Sequence, residues 1–225
     1  MNVYWENWGP EKNYFKFLLF TSFFPQITQG PISEFDQLSK ELFSAHEFSY
    51  QNYSWGFQRM LWGFLKKMVL ADMLNPYVQD VFANYSQYTG ITVFIGALAY
   101  SIQIYADFSG YMDIMCGYCE MLGIHLTENF ERPYFSKSVA EYWRRWHISL
   151  GAWFKSYIYY PIGISKWNNQ LGKQVRQRFG KAAGSNLPAS IALVVVWLAT
   201  GLWHGASWAY IAWGGVNGLF IIFFL

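Results

Sequence analysis

The sequence has 225 residues, and its composition is far from that of a soluble protein. Charged residues make up 13% of the chain, about half of the usual share of roughly 25%, whereas aromatic residues make up 22%. The chain is too apolar for a disordered protein and lacks the glycine period of collagen and the Glu and Lys content of a coiled coil. Two cysteines exclude a disulfide-stapled secreted module, and a net charge of +2 is too small for a nucleic-acid-binding surface. A membrane protein remains.

Two stretches without Asp, Glu, Lys or Arg are long enough to cross a bilayer. One runs from Val81 to Ala106 and the other from Leu187 to Leu225. A crossing needs about 20 apolar residues, so the first stretch predicts one crossing, with the spanning helix at residues 89–106, and the second predicts two. The sequence begins without the basic region of a signal peptide and stops within an apolar run, so we expect a fragment of a longer membrane protein.

The segments before the first crossing are shorter or more polar. Residues 14–28 are apolar but interrupted by Pro25, which favours a broken or re-entrant helix. Residues 31–53 are polar and predict an exposed loop. Residues 55–74 are largely apolar but carry four charges, so they lie either in the membrane interface or inside a helix bundle.

The segments after the first crossing alternate in character. Residues 107–126 are apolar but interrupted by three acidic residues, and residues 128–161 are dense in charge, Trp and Tyr, which predicts amphipathic helices at the membrane interface. Residues 163–186 carry five basic residues and no acid, so the positive-inside rule predicts a cytoplasmic loop. Pro188 is expected in the first turn of the following helix.

His204 is the residue with the clearest chemical signal. Apart from Tyr210 it is the only titratable side chain in the stretch from Leu187 to Leu225, and an ionisable group at membrane depth is costly unless it has a function. Its ordinary pKa suits general acid–base catalysis, and Gly201 and Gly205 beside it permit close approach of a helix or substrate. The structural alternative is a hydrogen bond across the bundle.

His147 lies in a second motif, residues 141–150, EYWRRWHISL. On a continuous helix Trp143, Arg144 and His147 would share a face, and Glu141 would pair with Arg145. A catalytic role and an interfacial basic helix that contacts lipid headgroups are both consistent with this pattern.

Asp107 shares a helix face with Gln103 directly after the first uncharged stretch. A carboxylate there is suited to orienting a histidine or binding a polar headgroup, whereas a cap or internal hydrogen bond is the better interpretation of Asp113. Cys116 and Cys119 are expected to be packing residues, because zinc needs further ligands and a disulfide within one helix would be strained. We expect no metal site.

Five segments resemble the membrane-bound O-acyltransferase family, in its bacterial alginate O-acetylation branch. They are residues 22–31 (SFFPQITQGP), 105–111 (YADFSGY), 129–133 (NFERP), 143–150 (WRRWHISL) and 201–206 (GLWHGA), in the order that the family has them. The resemblance covers nearly the whole chain. It implies an all-α, polytopic membrane bundle with interfacial or re-entrant helices around a tunnel, formed here by one domain over residues 1–225 that lacks N-terminal and C-terminal helices.

The resemblance also implies the chemistry. The family's catalytic histidine falls on His204 and its second characteristic histidine on His147, and the family transfers an acyl group to a hydroxyl. We expect substrate-binding roles for a further five residues: Asp107, Trp203, Trp143, Arg144 and Asn129. A base must take the hydroxyl proton and a donor must stabilise the oxyanion, and His147, an arginine or the Trp203 indole N–H are all candidates for the second role.

The expected partners and the competing functions follow from the same resemblance. We expect no bound cofactor, an acyl thioester donor such as acetyl-CoA, membrane lipid, and an extracellular polysaccharide or a secreted acetyltransferase as acceptor, in the bacterial cytoplasmic membrane and without nucleic acid. D-alanyl transfer to teichoic acid is the alternative within the same family. A proton-coupled transporter is the alternative of another class, but no inverted repeat is evident.

Overall fold

The computed structural model describes residues 2–6 and 8–223, and within them all regular structure is helical. The chain divides into two compact units, an N-terminal unit of Asn2–Phe130 and a C-terminal unit of Glu131–Leu225. The single domain predicted over residues 1–225 stays a prediction. Two helices are long and apolar enough to cross a membrane, Gly90–Met121 in the first unit and Ala183–His204 in the second.

The described residues of the N-terminal unit form six α-helices. They are α1 (Tyr14–Thr21), α2 (Phe24–Ile27), α3 (Phe35–Phe43), α4 (Tyr50–Phe64), α5 (Asp72–Ala83) and α6 (Gly90–Met121). The predicted break in residues 14–28 is confirmed, because α1 ends at Thr21 and Pro25 lies in the first turn of α2. The exposed loop predicted for residues 31–53 is wrong, since α3 lies within it and buries Leu38. A π-helix, Leu65–Ala71, continues α4 towards α5.

The start of α6 confirms the crossing predicted for residues 89–106, since the helix begins at Gly90. Its end differs from the prediction, because the helix continues through the three acidic residues that follow Ala106 and reaches a length of 32 residues. Glycines let α4 approach it closely: a Cβ added at Gly56 would lie 2.5 Å from the carbonyl oxygen of Gly117. Such small-residue contacts are typical of helix pairs in membranes.

Charged side chains of α4 and the π-helix are neutralised by acids of α6. Arg59 Nε lies 3.0 Å from Asp113 Oδ1, and Lys66 Nζ lies 2.5 Å from Asp113 Oδ2. Arg59 also forms a bidentate pair with Glu128, with both N–O distances 2.6 Å. The charges of residues 55–74 therefore belong to a helix–helix contact, which supports the bundle interpretation, and the internal role expected for Asp113 is confirmed.

Six further α-helices form the C-terminal unit. They are α7 (Val139–Arg145), α8 (Ile148–Phe154), α9 (Tyr160–Gly163), α10 (Lys166–Phe179), α11 (Lys181–His204) and α12 (Trp208–Phe223). A second π-helix, Lys155–Tyr159, joins α8 to α9. The short helices α7 to α9 agree with the amphipathic segments predicted for residues 128–161.

The polar segment before the second uncharged stretch is helical, so the loop predicted for residues 163–186 is wrong. Its Lys, Arg and Gln residues are good helix formers, and α10 buries Asn168 and Gly172 against α11. Pro188 is likewise inside α11 and not in its first turn. The Asn168 amide donates to the Pro188 carbonyl (3.0 Å) and to the Ile162 carbonyl (3.1 Å). These hydrogen bonds connect α10 to α11 at the proline and to α9.

The uncharged stretch after Pro188 folds into two packed helices. Gly205 forms the turn between α11 and α12 with a φ of 153°, a conformation that side-chain-bearing residues rarely adopt. A Cβ added at Gly214 would lie 2.4 Å from the carbonyl oxygen of Trp197, so the two helices meet backbone to backbone. α12 is apolar but shorter than the two spanning candidates.

Candidate active site in the C-terminal unit

His147 lies where the helical motif is interrupted. α7 ends at Arg145, whose carbonyl accepts a hydrogen bond from the Glu131 N–H (2.9 Å), and α8 begins at Ile148. Between them His147 has a φ of 49°, which is uncommon for a residue other than glycine, and only 7% of it is exposed. The helix face expected for Trp143, Arg144 and His147 therefore does not form. Backbone conformations of this kind concentrate at functional sites.

His204 lies at the C-terminal end of α11, whereas the basic residues of 163–186 lie before or at the N-terminal end of this helix. It is the last residue of α11, directly before the turn at Gly205, and its side chain is exposed. Within the part of the chain that the structure describes, its ring contacts are aromatic: the centroid of Trp213 lies 5.0 Å away, and Tyr210 stacks at 6.0 Å. The described residues therefore provide no hydrogen bond across the bundle for His204, and its imidazole nitrogens remain available to a substrate.

The ring of Trp203 is close to both histidines. Its ring centroid is 5.8 Å from that of His147 and 4.8 Å from that of His204. Residues that are 57 positions apart in the sequence thus contact one indole ring, and both contacts are edge-to-face. The C-terminal unit therefore brings together three of the predicted site residues, His147, Trp203 and His204.

The surroundings of His147 keep its imidazole uncharged. Burial lowers the pKa of His147 to about 4, and the neighbouring His204 adds to this effect. His147 lies outside both spanning candidates. At neutral pH the His147 imidazole is uncharged and has one N–H donor and one nitrogen acceptor, so it is suited to donating a hydrogen bond and is a weak base.

Trp143 is linked to this group through other rings. Its indole N–H donates to Asn217 Oδ1 (3.2 Å), and its ring packs at 4.8 Å from Trp197 and at 5.6 Å from Trp213. Since Trp213 contacts His204, one aromatic cluster joins Trp143 to the predicted base. Trp143 and Asn217 also line an open groove of about 460 Å³, together with Tyr134 and Tyr142.

The other predicted residues of the WRRWH motif have different roles. Arg144 is exposed and takes no part in the aromatic cluster. Arg145 forms the predicted pair with Glu141, with a distance of 2.6 Å between Nη2 and Oε1. The motif therefore contributes His147 and Trp143 to the histidine region, whereas Glu141 and Arg145 stabilise α7.

Asp107 and Asn129 belong to the N-terminal unit. Asp107 Oδ1 lies 2.6 Å from Lys67 Nζ, which also contacts Asp72 at 2.7 Å, and the Asp107 side chain is 42% exposed. Asn129 is only 1% exposed, and its amide lies 3.3 Å from the sulfur of Met112. Asp107 is accessible to a ligand, whereas Asn129 is buried, and the substrate-binding roles expected for both residues stay predictions.

The sequence motifs did not identify Trp213 and Asn217. Both lie on α12, in the apolar stretch after the turn, where no charge or motif distinguishes them from the other apolar and small residues. Their position beside Trp143 and His204 depends on the close packing of α12 on α11. Gly214, next to Trp213, was the available signal for that packing.

Comparisons with known proteins extend over both units. The family model of the membrane-bound O-acyltransferases matches residues 11–176, a range that contains His147 but not His204. A probable alginate O-acetylase of Azotobacter vinelandii is 34% identical over 221 residues, which are 98% of this chain and 40% of the relative. A probable alginate O-acetylase of Pseudomonas syringae is 36% identical over 98% of this chain, which corresponds to 39% of the relative's length.

More distant relatives carry out related transfers. A peptidoglycan O-acetyltransferase of Helicobacter pylori is 32% identical over 92% of this chain and 36% of the relative. A teichoic acid D-alanyltransferase of Bacillus subtilis is 29% identical over 88% of this chain and 48% of the relative. The chain thus spans less than half the length of these relatives, and the resemblance to the alginate branch is confirmed. The chain belongs to the membrane-bound O-acyltransferase family.

Proposed function

We propose that the chain forms the histidine-bearing part of a membrane enzyme that transfers an acyl group, in the first instance acetyl, from a thioester to a hydroxyl group. The observation that carries the proposal is the contact of both His147 and His204 with the ring of Trp203. Family membership and the names of the alginate and peptidoglycan relatives support the same reaction. The acceptor is an extracellular polysaccharide or a secreted partner acetyltransferase.

In the proposed reaction His204 is the general base. Its imidazole takes the proton of the acceptor hydroxyl as the oxygen attacks the thioester carbonyl carbon. The tetrahedral intermediate then expels the thiolate, which receives that proton from His204, so that the histidine ends in its starting state. No covalent acyl-enzyme is needed, and the acyl group moves directly from sulfur to oxygen.

The uncharged His147 is proposed to stabilise the oxyanion. A neutral imidazole donates one N–H hydrogen bond without placing a second positive charge beside the protonated His204. Trp203, whose ring contacts both histidines, either shares this role through its indole N–H or holds the two rings in place. We further propose that Asp107, Trp143, Arg144 and Asn129 bind or position the substrates, with the contacts of Asp107 and Trp143 supporting this role better than those of Arg144 and Asn129.

The membrane arrangement is part of the proposal. We place the protein in the bacterial cytoplasmic membrane as a multi-pass helical bundle, with a tunnel through which donor and acceptor meet from opposite faces. The basic α10 is placed on the cytoplasmic side, which makes a cytoplasmic thioester such as acetyl-CoA the donor. His204, at the other end of α11, is then open to an acceptor from outside.

The test is acylation of surface glycans in cells whose own copy of the gene is replaced by a variant. His204→Ala is expected to abolish the acyl groups that mass spectrometry detects on the wild-type glycan, while protein abundance in the membrane is unchanged. His125→Ala, an exposed histidine of the N-terminal unit, is the matched control and is expected to retain acylation. Wild-type acylation in the His204→Ala strain would contradict the proposal. Detection of D-alanyl esters in place of acetyl esters would show that the transferred acyl group is D-alanyl.

A further inference from the structure

The helix α10 and the start of α11 carry a basic surface. The surface consists of five exposed residues, four on α10 and Lys181 at the first position of α11: Lys166, Lys173, Arg176, Arg178 and Lys181. No acid occurs in residues 163–186. Among the residues that the structure describes, none forms an ion pair with these five, whereas the cations of α4 and the neighbouring π-helix are paired. Five cations at one place attract an anionic ligand.

A second feature of α10 is an exposed apolar flank. Trp167 and Leu171 are 55% and 37% exposed, and their spacing of four residues places them on one side of the helix, while Phe179, 71% exposed, is its last residue. A different side, with Asn168 and Gly172, packs against α11. The helix thus combines a packed side with exposed apolar residues and exposed cations. This combination is typical of a helix at the surface of a bilayer.

The position of α10 along α11 fits the same environment. Asn168 contacts Pro188, and Arg176 contacts Gly184, so α10 runs antiparallel to the first turns of α11. The spanning candidate begins at Ala183, and no Asp, Glu, Lys or Arg follows Lys181 in the sequence. The basic surface therefore lies beside the first turns of a candidate crossing, where lipid headgroups are expected.

We propose that α10 is a docking site for anionic phospholipids, with the basic surface on the phosphate groups and Trp167, Leu171 and Phe179 against the acyl chains. An acidic protein would be attracted by the same charges, but it would not account for an apolar flank beside a bilayer-crossing helix. Clusters of basic residues next to a crossing bind anionic lipids in this way. The site is independent of the acyl-transfer chemistry.

The experiment compares the lipids that the protein retains. Protein reconstituted into equal amounts of phosphatidylglycerol and phosphatidylcholine is re-extracted with mild detergent, and the retained lipids are quantified by mass spectrometry. We expect the wild type to retain phosphatidylglycerol with a preference of at least about 10-fold. Each surface cation is worth roughly a 5-fold preference, so Lys173→Gln/Arg178→Gln, which removes two of the five, should lower the wild-type preference by up to about 25-fold. Raising the salt concentration should lower the wild-type preference as well.

The control is Lys12→Gln/Lys40→Gln, which removes the same charge from exposed positions of the N-terminal unit and should keep the wild-type preference. Thermal unfolding monitors folding, and Lys166→Gln/Lys181→Gln serves as a second variant with the same expected loss. Trp167→Ala should lower the retention of both lipids. Equal retention of the two lipids by the wild type, or an equal loss in the control, would overturn the proposal and leave the basic surface to an acidic protein.

Discussion

The two units of the chain accommodate polar groups among apolar helices in different ways. In the N-terminal unit, Arg59 and Lys66 bring charge into the contact between α4 and α6, and Asp113 and Glu128 neutralise it. In the C-terminal unit, the polar groups of the candidate site are imidazoles and indoles packed among rings. A paired charge is held in place and is costly to change, whereas a neutral imidazole can take and return a proton.

The difference indicates where chemistry is possible. The salt bridges between α4 and α6 hold the two helices in register, and both carboxylate oxygens of Asp113 are paired, with Arg59 and Lys66. His204 has no such commitment among the described residues and lies at an exposed helix end. The comparison therefore supports a mainly structural role for the charges of the N-terminal unit and is consistent with the reactive role proposed for the histidines of the C-terminal unit.

Breaking the ion pairs of Asp113 should have the largest effect on stability. Asp113→Ala leaves Lys66 without its carboxylate in a site where both side chains are about 15% exposed. Removing one partner of a buried pair costs about 3–5 kcal/mol, so the free energy of unfolding should fall by about that amount. Denaturant unfolding in detergent measures it.

The matched control for Asp113 is Asp72, which is 52% exposed and pairs with Lys67. Asp72→Ala should cost less than about 1 kcal/mol, as exposed pairs do. Equal losses for the two variants would show that burial of the pair is not what makes Asp113 important, and the structural half of the comparison would be wrong.

The uncharged state of His147 predicts a dependence of stability on pH. Its pKa is about 4 in the folded protein, against an ordinary value of 6.5, so the unfolded chain binds the proton more readily between these values. Stability should fall as the pH is lowered from about 6.5 to 4, with a contribution from His147 on the order of 3 kcal/mol at the acid end. Unfolding curves at several pH values measure the slope.

His147→Gln isolates this contribution, because glutamine keeps a polar group that does not titrate. The variant should lose less stability than the wild type over the same pH range. An identical pH slope in the two proteins would mean that His147 is not held in its neutral form.

The close packing that forms the histidine region is tested by two adjacent glycines. Gly214→Ala places a Cβ 2.4 Å from the carbonyl oxygen of Trp197 and should cost about 1–3 kcal/mol, with a parallel loss of acyl transfer as Trp213 moves. Gly215→Ala meets no atom within 4 Å and should be nearly neutral. A Gly214→Ala protein with wild-type stability would contradict the packing of α12 on α11.

The sequence predicted the features that depend on composition and local motifs. The crossing helix α6 and the unusual position of His204 follow from runs without charge, and the pair of Glu141 and Arg145 follows from helical spacing. These features need no information about distant residues, since the bilayer and the helix period impose them locally.

The errors arose where tertiary contacts decide the local structure. The helix expected through the WRRWH motif ends because Glu131 takes the Arg145 carbonyl, and no glycine or proline marks that break. Pro188 was placed at a helix start by its intrinsic preference, but packing of α10 against α11 carries the helix through it. The aromatic cluster around Trp203 could not be predicted either, because its residues come together only when α8, α11 and α12 are packed.

The central claim is that His147 and His204 act together on one acyl-transfer step. A double-mutant cycle on protein purified from membranes tests it directly, with an acetyl thioester donor, a soluble hydroxyl acceptor, and the variants His147→Ala, His204→Ala and both combined. We expect His204→Ala to lower the rate by at least about 1000-fold and the double variant to be no slower than His204→Ala alone, because both histidines serve the same transition state. Losses that multiply in the double variant, or a single variant with the wild-type rate, would contradict the account.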